Sequence, residues 1–369
     1  MRRIFTLFLC AVILLTLLVP TALAVPGVSA RSFVLLDAGT RTVLAEQNAD
    51  TQMLIASTTK IMTAALALEH ASMDDIVEIL PEYTGIEGSS MYLRAGESMT
   101  VGDLLYGLML SSGNDAAVAL AYHVAGGIDA FAALMNEKAA ALGMTNSNFQ
   151  NPHGLDGDAH YSTARDMAIL TAWAMESEAF AQVAGTRSTQ AAGRSLVNHN
   201  KLLWRYPDAE GVKTGFTKAA GRSLVSSACR DGTRLICVTL SAPDDWDDHH
   251  ALLDWGFANY KYHQILVQGA EFAQVPVISG TADSVALAPE QGLALLLHPD
   301  DLVTVTAHVP RHLFAGVNAG EQGGTVMVAV NGQPTFETRL LYSESVALDE
   351  TNRLGFWEEI QWNWNMLWK

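Results

Sequence analysis

The chain has 369 residues, of which 49% are hydrophobic and 17% charged, and its formal net charge is −17. So large an apolar share excludes an intrinsically disordered chain, and the acidic balance speaks against nucleic acid as a partner. The length predicts two domains, and three cysteines are too few for a disulfide scaffold.

Residues 1–24 have the layout of a secretory signal peptide. Arg2 and Arg3 precede an apolar run from Leu7 to Val19, and Pro20 ends it. Ala22-Leu23-Ala24 offers a small-x-small cleavage site, with a second possible cut after Ala30. The alternative is an uncleaved membrane anchor, for which the run is short. Cys10 leaves with the signal. The expected location is therefore extracytoplasmic.

Residues 31–261 read as one mixed α/β domain. A strand alternation over 31–44 surrounds a turn at Ala38-Gly39-Thr40, and a helix-period segment follows from Ala56 to Glu69. Thr100 caps a helix through Leu110, and Asn114 or Asp115 caps another through Val124. A helix over 129–142 is closed by Gly143, and Ser162 or Thr163 caps one through Met175. Strands at 209–216, 222–229 and 234–241 precede a helix over 247–260. Asp231-Gly232 is a two-residue hairpin turn that sets Cys229 opposite Arg234, so no disulfide to Cys237 is expected and both read as small buried residues.

Residues 262–350 lack any helix-length pattern. Apolar stretches at Gln274–Ile278, Leu293–Leu297, Val303–Val309, Thr325–Val330 and Thr335–Leu341 predict a small all-β domain, with Asn331-Gly332 as its clearest turn. In residues 351–369, Phe356, Trp357, Ile360, Trp364, Leu367 and Trp368 share one helix face. Such a helix suits a membrane surface, where Trp is favoured; the alternative is a helix docked on its own protein.

Three triplets carry chemistry. In Ser57-Thr58-Thr59-Lys60, a spacing of three puts serine and lysine on one helix face, where a desolvated lysine can serve the serine as base. Ser112-Gly113-Asn114 aims a hydroxyl and a carboxamide from one tight loop, able to relay a proton and hold a peptide group. Lys213-Thr214-Gly215 lies in a strand: a cation to lower the pKa of Lys60, a hydroxyl for a carboxylate, and a glycine that leaves room at the strand edge. Singly, each is ordinary: a capping serine before an exposed lysine, turn chemistry, and a surface strand.

Together and in this order they resemble the signature of the low-molecular-mass penicillin-binding proteins, specifically the serine-type D-alanyl-D-alanine carboxypeptidases. The flanks Ile61-Met62-Thr63, Asn151-Pro152-His153-Gly154-Leu155 and Ala164-Arg165-Asp166-Met167 match too. The resemblance implies a penicillin-binding, β-lactamase-like transpeptidase domain of the α+β type, with an antiparallel sheet flanked by helices, plus the all-β second domain. It implies peptidoglycan stem peptides ending in D-Ala-D-Ala as substrate and β-lactams as covalent inhibitors. Ser57 would attack the carbonyl between the two D-alanines, Lys60 take its proton, and Ser112 pass a proton to the leaving amine. Asn114 would hold the peptide, Lys213 and Thr214 its carboxylate, and the N–H groups of Ser57 and Phe216 the oxyanion. No metal or other cofactor is expected.

One departure stands out. Some relatives carry a carboxylate-binding arginine in the loop that here runs from Pro243 to Asp248 and holds four aspartates and no arginine. Lys213, Thr214 or Arg222 would have to serve. Asp166 reads as a cap and His153 as a loop anchor, neither catalytic. Asp244–His250 crowds aspartates and histidines, but its adjacent His249 and His250 face different ways, which disfavours a metal site. The rival activities are a D,D-endopeptidase with the same site, a β-lactamase, for which 149–158 lacks a glutamate, and an inactive scaffold.

Overall fold

The computed structural model describes residues 24–350, and the divide between two compact units falls between Asn259 and Tyr260. The expected signal at 1–24, apart from Ala24, and the expected helix at 351–369 lie outside the described residues. Among the described residues no single helix is long and apolar enough to cross a membrane.

The first unit begins with β1 (Ser32–Asp37) and β2 (Val43–Gln47), followed by a 3₁₀ turn (Ala56–Thr59) that runs into α1 (Lys60–His70). Next come β3 (Ile76–Glu78), β4 (Ser98–Thr100), α2 (Val101–Leu110), α3 (Asn114–Ala125), α4 (Ile128–Ala141), α5 (Ala164–Ala174) and α6 (Glu178–Gly185). A hairpin of β5 (Ser188–Ala191) and β6 (Arg194–Val197), the short α7 (Leu202–Arg205), strands β7 (Ala209–Thr217), β8 (Gly221–Arg230) and β9 (Thr233–Leu240), and α8 (Asp245–Asn259) complete it. The main sheet is antiparallel in the order β2-β1-β9-β8-β7, which leaves β7 at one edge.

Every residue of β1 is buried, so both faces of this strand are covered. Helix α5 packs on β1 and β9, and α8 on β8 and β9. Helix α1 is buried from Lys60 to Ala67, and its Ala64, Ala65 and Ala67 let neighbouring helices approach closely. A helix enclosed in this way puts the lysine of its first turn out of water, which decides the chemistry below.

Local signals match several expected ends. Thr100 and Asp103 form a capping box at α2, and Thr163 accepts the Asp166 N–H at the start of α5. Asp231 and Gly232 both have positive φ, the geometry of a two-residue hairpin, and pair Cys229 with Arg234. Both cysteines are free thiols; Cys237 is buried and Cys229 half-buried.

Two expectations are corrected. The helix expected from Ala56 is a 3₁₀ turn before α1, because the Thr58 and Thr59 hydroxyls donate back to the carbonyls of Ile55 and Ala56. The N-cap of α3 is Gly113 rather than Asn114 or Asp115, whose side chains turn instead to the segment before β4. Helix α6, the β5–β6 hairpin, β3 and β4 had no clear sequence pattern.

The second unit contains β10 (Lys261–Leu266), β11 (Ala273–Ile278), β12 (Ser284–Pro289), β13 (Leu293–Leu297), β14 (Val303–His308), β15 (Leu313–Phe314), β16 (Gln322–Val330) and β17 (Gln333–Tyr342). Six of these form a sheet in the order β14-β16-β17-β12-β11-β15, and β10 pairs with β13. Leu266, Val275, Leu287, Val326, Val328 and Leu340 fill its core. Asn331 and Gly332, both at positive φ, close the β16–β17 hairpin.

Candidate active site

Ser57 stands in the 3₁₀ turn directly after Ala56, whose φ of +47° lies in the left-handed region. For a residue with a Cβ this costs of order 1–3 kcal/mol and survives only where the surroundings over-determine it. They do so here. The Thr59 hydroxyl donates to the Ala56 carbonyl at 2.9 Å and accepts from His160 Nε2 at 2.8 Å. His160 Nδ1 accepts the Gln150 N–H at 3.1 Å, which fixes the tautomer. Burial pushes the His160 pKa down to about 4, so the ring is neutral at physiological pH.

Two glycines clasp the same turn. A Cβ on Gly154, itself at φ +85°, would lie 2.0 Å from the Ala56 carbonyl oxygen. On the other side a Cβ on Gly215 would lie 3.0 Å from the Ile55 carbonyl oxygen and 3.2 Å from Ser57 N. The space at Gly215 was expected to admit a substrate backbone. It is filled by the serine turn, and what remains for a ligand is the outer edge of β7.

Lys60 is fully buried. Its Nζ lies 3.0 Å from Ser57 Oγ, 2.7 Å from Asn114 Oδ1 and 2.6 Å from the His153 carbonyl oxygen. The Asn114 amide orientation is fixed from its other end, where Nδ2 donates to the Glu87 carbonyl at 2.5 Å. Burial first, and then the positive charge of Lys213, hold Lys60 well below the ordinary lysine range, while Asp115 pulls the other way. The pull from Asp115 is blunted, because its oxygens already accept from Ser90 Oγ and from the N–H groups of Met91, Leu93 and Ala116. A neutral amine has two N–H donors and one lone pair. Two partners of Lys60 are carbonyl-type oxygens that can only accept, so they take both donors. The lone pair is left for the one partner with a proton to give, the Ser57 hydroxyl.

Lys213 is the second buried lysine, and its Nζ donates to the Thr214 carbonyl at 2.8 Å. Burial lowers its pKa to about 7. Burial acts on both amines, and the Lys213 charge adds a second push on Lys60 toward its neutral form. Ser112, at φ +59° between α2 and α3, has no hydrogen-bond partner for its hydroxyl among the described residues. With Ser57, Thr214, Gly215, Phe216, His199 and Arg222 it lines a cleft of about 320 Å³. Phe216 is 64% exposed at the rim. Arg222 donates to the buried Asp245 at 2.9 Å and lies over the Trp246 ring.

The structure thus brings the three triplets to one cleft. Sequence reasoning missed the His153 carbonyl, His160 and His199, the last of which has its pKa lowered by burial and by Lys213. Backbone groups carry no sequence signature, and His160 and His199 stand in loops with no motif around them to mark them out. His153 is a loop anchor through Nδ1, which accepts the Leu155 N–H at 3.2 Å. Asp166 accepts from Asn146 N–H and Ser147 Oγ rather than closing a reciprocal cap. In the acidic stretch His249 bridges Ser226 Oγ at 2.6 Å and Thr239 Oγ1 at 2.9 Å, and Asp248 accepts from Ser29.

An antiparallel sheet between helices, with a serine–lysine pair packed against its edge strand, defines the class as a serine–lysine peptidase fold. A family model described as D-alanyl-D-alanine carboxypeptidase, peptidase S11, matches residues 20–244. The D-alanyl-D-alanine carboxypeptidase DacF of Bacillus subtilis is 30% identical over 380 residues, covering 96% of each chain. DacC of Escherichia coli is 35% identical over 358 residues, covering 90% of this chain and 89% of its own length. Among solved structures, penicillin binding protein 5 from Haemophilus influenzae aligns with a TM-score of 0.70 at 31% identity, over 88% of this chain and 99% of that one. The chain belongs to the S11 family of D-alanyl-D-alanine carboxypeptidases, and serine-type D-Ala-D-Ala carboxypeptidase is its activity.

Proposed function

We propose that this carboxypeptidase works through an acyl-enzyme on Ser57. The observation that carries the reading is the placing of Lys60 Nζ within hydrogen-bond distance of Ser57 Oγ and of two oxygens that can only accept, Asn114 Oδ1 and the His153 carbonyl, so that a neutral amine there would turn its lone pair to the serine. Ser57 Oγ attacks the carbonyl of the penultimate D-alanine as its proton passes to Lys60. Ser112 hands a proton to the departing amine of the terminal D-alanine, and water then hydrolyses the ester. The N–H groups of Ser57 and Phe216 take the developing negative charge. Asn114 holds the substrate amide, and Lys213 and Thr214 hold the terminal carboxylate at the edge of β7. Arg222, fixed by Asp245, supplies the further cation of the cleft. A β-lactam presents a carbonyl and a carboxylate in the same relation and acylates Ser57 instead.

The protein acts on peptidoglycan stem peptides outside the cytoplasm, held at the membrane surface by the Trp-rich face of residues 351–369. The sequence pattern alone supports that anchoring.

The test is release of D-alanine from an N-acyl peptide ending in D-Ala-D-Ala, followed against pH. Lys60 must be neutral, so kcat/KM rises on the acid side. Lys213 must be cationic to hold the carboxylate, so kcat/KM falls as pH passes about 7. Lys213→Arg moves the falling limb to higher pH. No D-alanine released, or a falling limb that stays put in Lys213→Arg, would contradict the reading.

A further inference from the structure

The segment Glu87–Arg94 runs from the active cleft to a second one. Ser89 lines the first, while Ser90, Met91, Tyr92 and Arg94 line the second, of about 370 Å³. Ser112 and Ser111 divide between the two clefts in the same way. Neighbouring Cα atoms are ~3.8 Å apart, so at two places a single peptide link joins residues that line the two clefts.

The segment is held far more firmly than an exposed loop requires. The Asn114 N–H donates to the Ser89 carbonyl at 2.7 Å, and Asp115 accepts from Ser90 Oγ at 2.5 Å, Met91 N–H at 3.1 Å and Leu93 N–H at 3.0 Å. Arg194 donates to the carbonyls of Met91 and Tyr92, each at 2.9 Å, and pairs with Glu97 at 2.6 Å. The Tyr92 N–H is taken by Ser90 Oγ at 2.8 Å. All this restraint holds Tyr92 at φ +62° with 79% of its surface exposed. A bulky residue in the left-handed region is strained, and an exposed ring recovers none of that cost by burial. Beside it the Arg94 guanidinium makes no hydrogen bond or ion pair among the described residues, although its charge still acts on Glu97, which lines the same cleft and is paired with Arg194. The second cleft thus presents a rigid aromatic face and a guanidinium with no hydrogen-bonded partner of its own, beside a Glu97 whose charge Arg194 already offsets.

From this we infer that the second cleft is a subsite for the substrate residue preceding D-Ala-D-Ala, with Tyr92 packing on its aliphatic stem and Arg94 pairing with a carboxylate on its side chain. The inference rests on the proposed function. There the leaving group is one D-alanine, held at the Lys213–Thr214 end, so only the N-terminal part of the substrate is long enough to reach a further cleft. Stem peptides whose third residue ends in a carboxylate are the class it selects.

Steady-state kinetics on two N-acyl tripeptides ending in D-Ala-D-Ala tests this, the first residue carrying a side-chain carboxylate in one and its amide in the other. The wild type should show a KM about five-fold lower for the carboxylate peptide, with equal kcat, because the contact is the same in ground and transition states. In Arg94→Gln the two KM values converge, and in Arg94→Glu the amide peptide becomes the better bound of the two. Tyr92→Gly relieves the backbone and raises KM for both peptides. Thermal melts of each variant check the fold. Equal KM values in the wild type, or a carboxylate preference that survives in Arg94→Gln, would overturn the subsite. Release of D-alanine from neither peptide would instead overturn the reading of Ser57 beneath it.

Discussion

Lys60→Met should lower the rate of acylation by about four orders of magnitude without loss of stability. The catalytic loss follows from removing the only group among the described residues that is placed to take the Ser57 proton, at 3.0 Å. The effect on stability is a contest between two magnitudes. Methionine leaves Asn114 Oδ1 and the His153 carbonyl without their donor, at about 1–3 kcal/mol each. Against this, a lysine that folding drives toward neutrality costs at most about 4–5 kcal/mol at pH 7, the limit for full neutrality, and methionine removes that cost. The two nearly cancel, and the pH dependence separates them. The Lys60 pKa is lowered by folding, so the unfolded chain binds the extra proton below the ordinary lysine pKa. Wild-type stability therefore rises with pH from neutrality towards about 10, with Lys60 and the likewise depressed Lys213 both contributing, and Lys60→Met keeps only the shallower rise due to Lys213. Urea melts at two pH values and stopped-flow acylation by penicillin read both effects. Acylation within about tenfold of wild type would remove Lys60 from the mechanism.

Gly154→Ala should destabilise the first unit by about 3 kcal/mol or more and slow acylation at least about a hundredfold. The added Cβ would sit 2.0 Å from the Ala56 carbonyl oxygen and 2.8 Å from Thr59 Oγ1, at φ +85°. The obstacle is backbone, so the loop must withdraw. The His153 carbonyl would move away from Lys60, and the Pro152 carbonyl from Thr63 Oγ1 at 2.6 Å. Both neutrality of the amine and placement of the serine then suffer. Gly157→Ala in the same loop is the control. Its Cβ would meet Gln150 Oε1 at 2.4 Å, the end of a flexible side chain that can swing aside. Equal urea midpoints for the two variants would show that the loop does not clasp the serine turn.

The three triplets were legible because each is contiguous, and each sits on an element with a local signal: a helix start, an interhelical loop and a strand next to a hairpin. Their convergence was legible only through the family resemblance, since nothing in the spacing brings residues 57, 112 and 213 together. The support around them was not legible. Asp115 looked like a cap and is instead the acceptor that fixes Met91 and Leu93, because a buried carboxylate serves whichever donors the fold delivers. The His153 contribution is a carbonyl, which every residue has. Lys213 read equally well as an exposed strand lysine. Its burial follows from packing of β7 against the serine turn, a contact that Gly215 permits and no periodicity reports. The same holds for Arg194, one basic residue among the six between Arg194 and Arg222, whose neighbours Met91 and Tyr92 lie about a hundred residues earlier.

The central claim is that Ser57 is the acylated nucleophile. Intact-protein mass spectrometry after brief exposure to benzylpenicillin, with peptide mapping of the product, tests it most directly. The β-lactam ring opens without losing an atom, so the wild type should gain the mass of one whole penicillin, located on the peptide that contains Ser57, and Ser57→Ala should gain nothing. An unmodified wild type, or an adduct of the same mass on Ser57→Ala, would contradict the account.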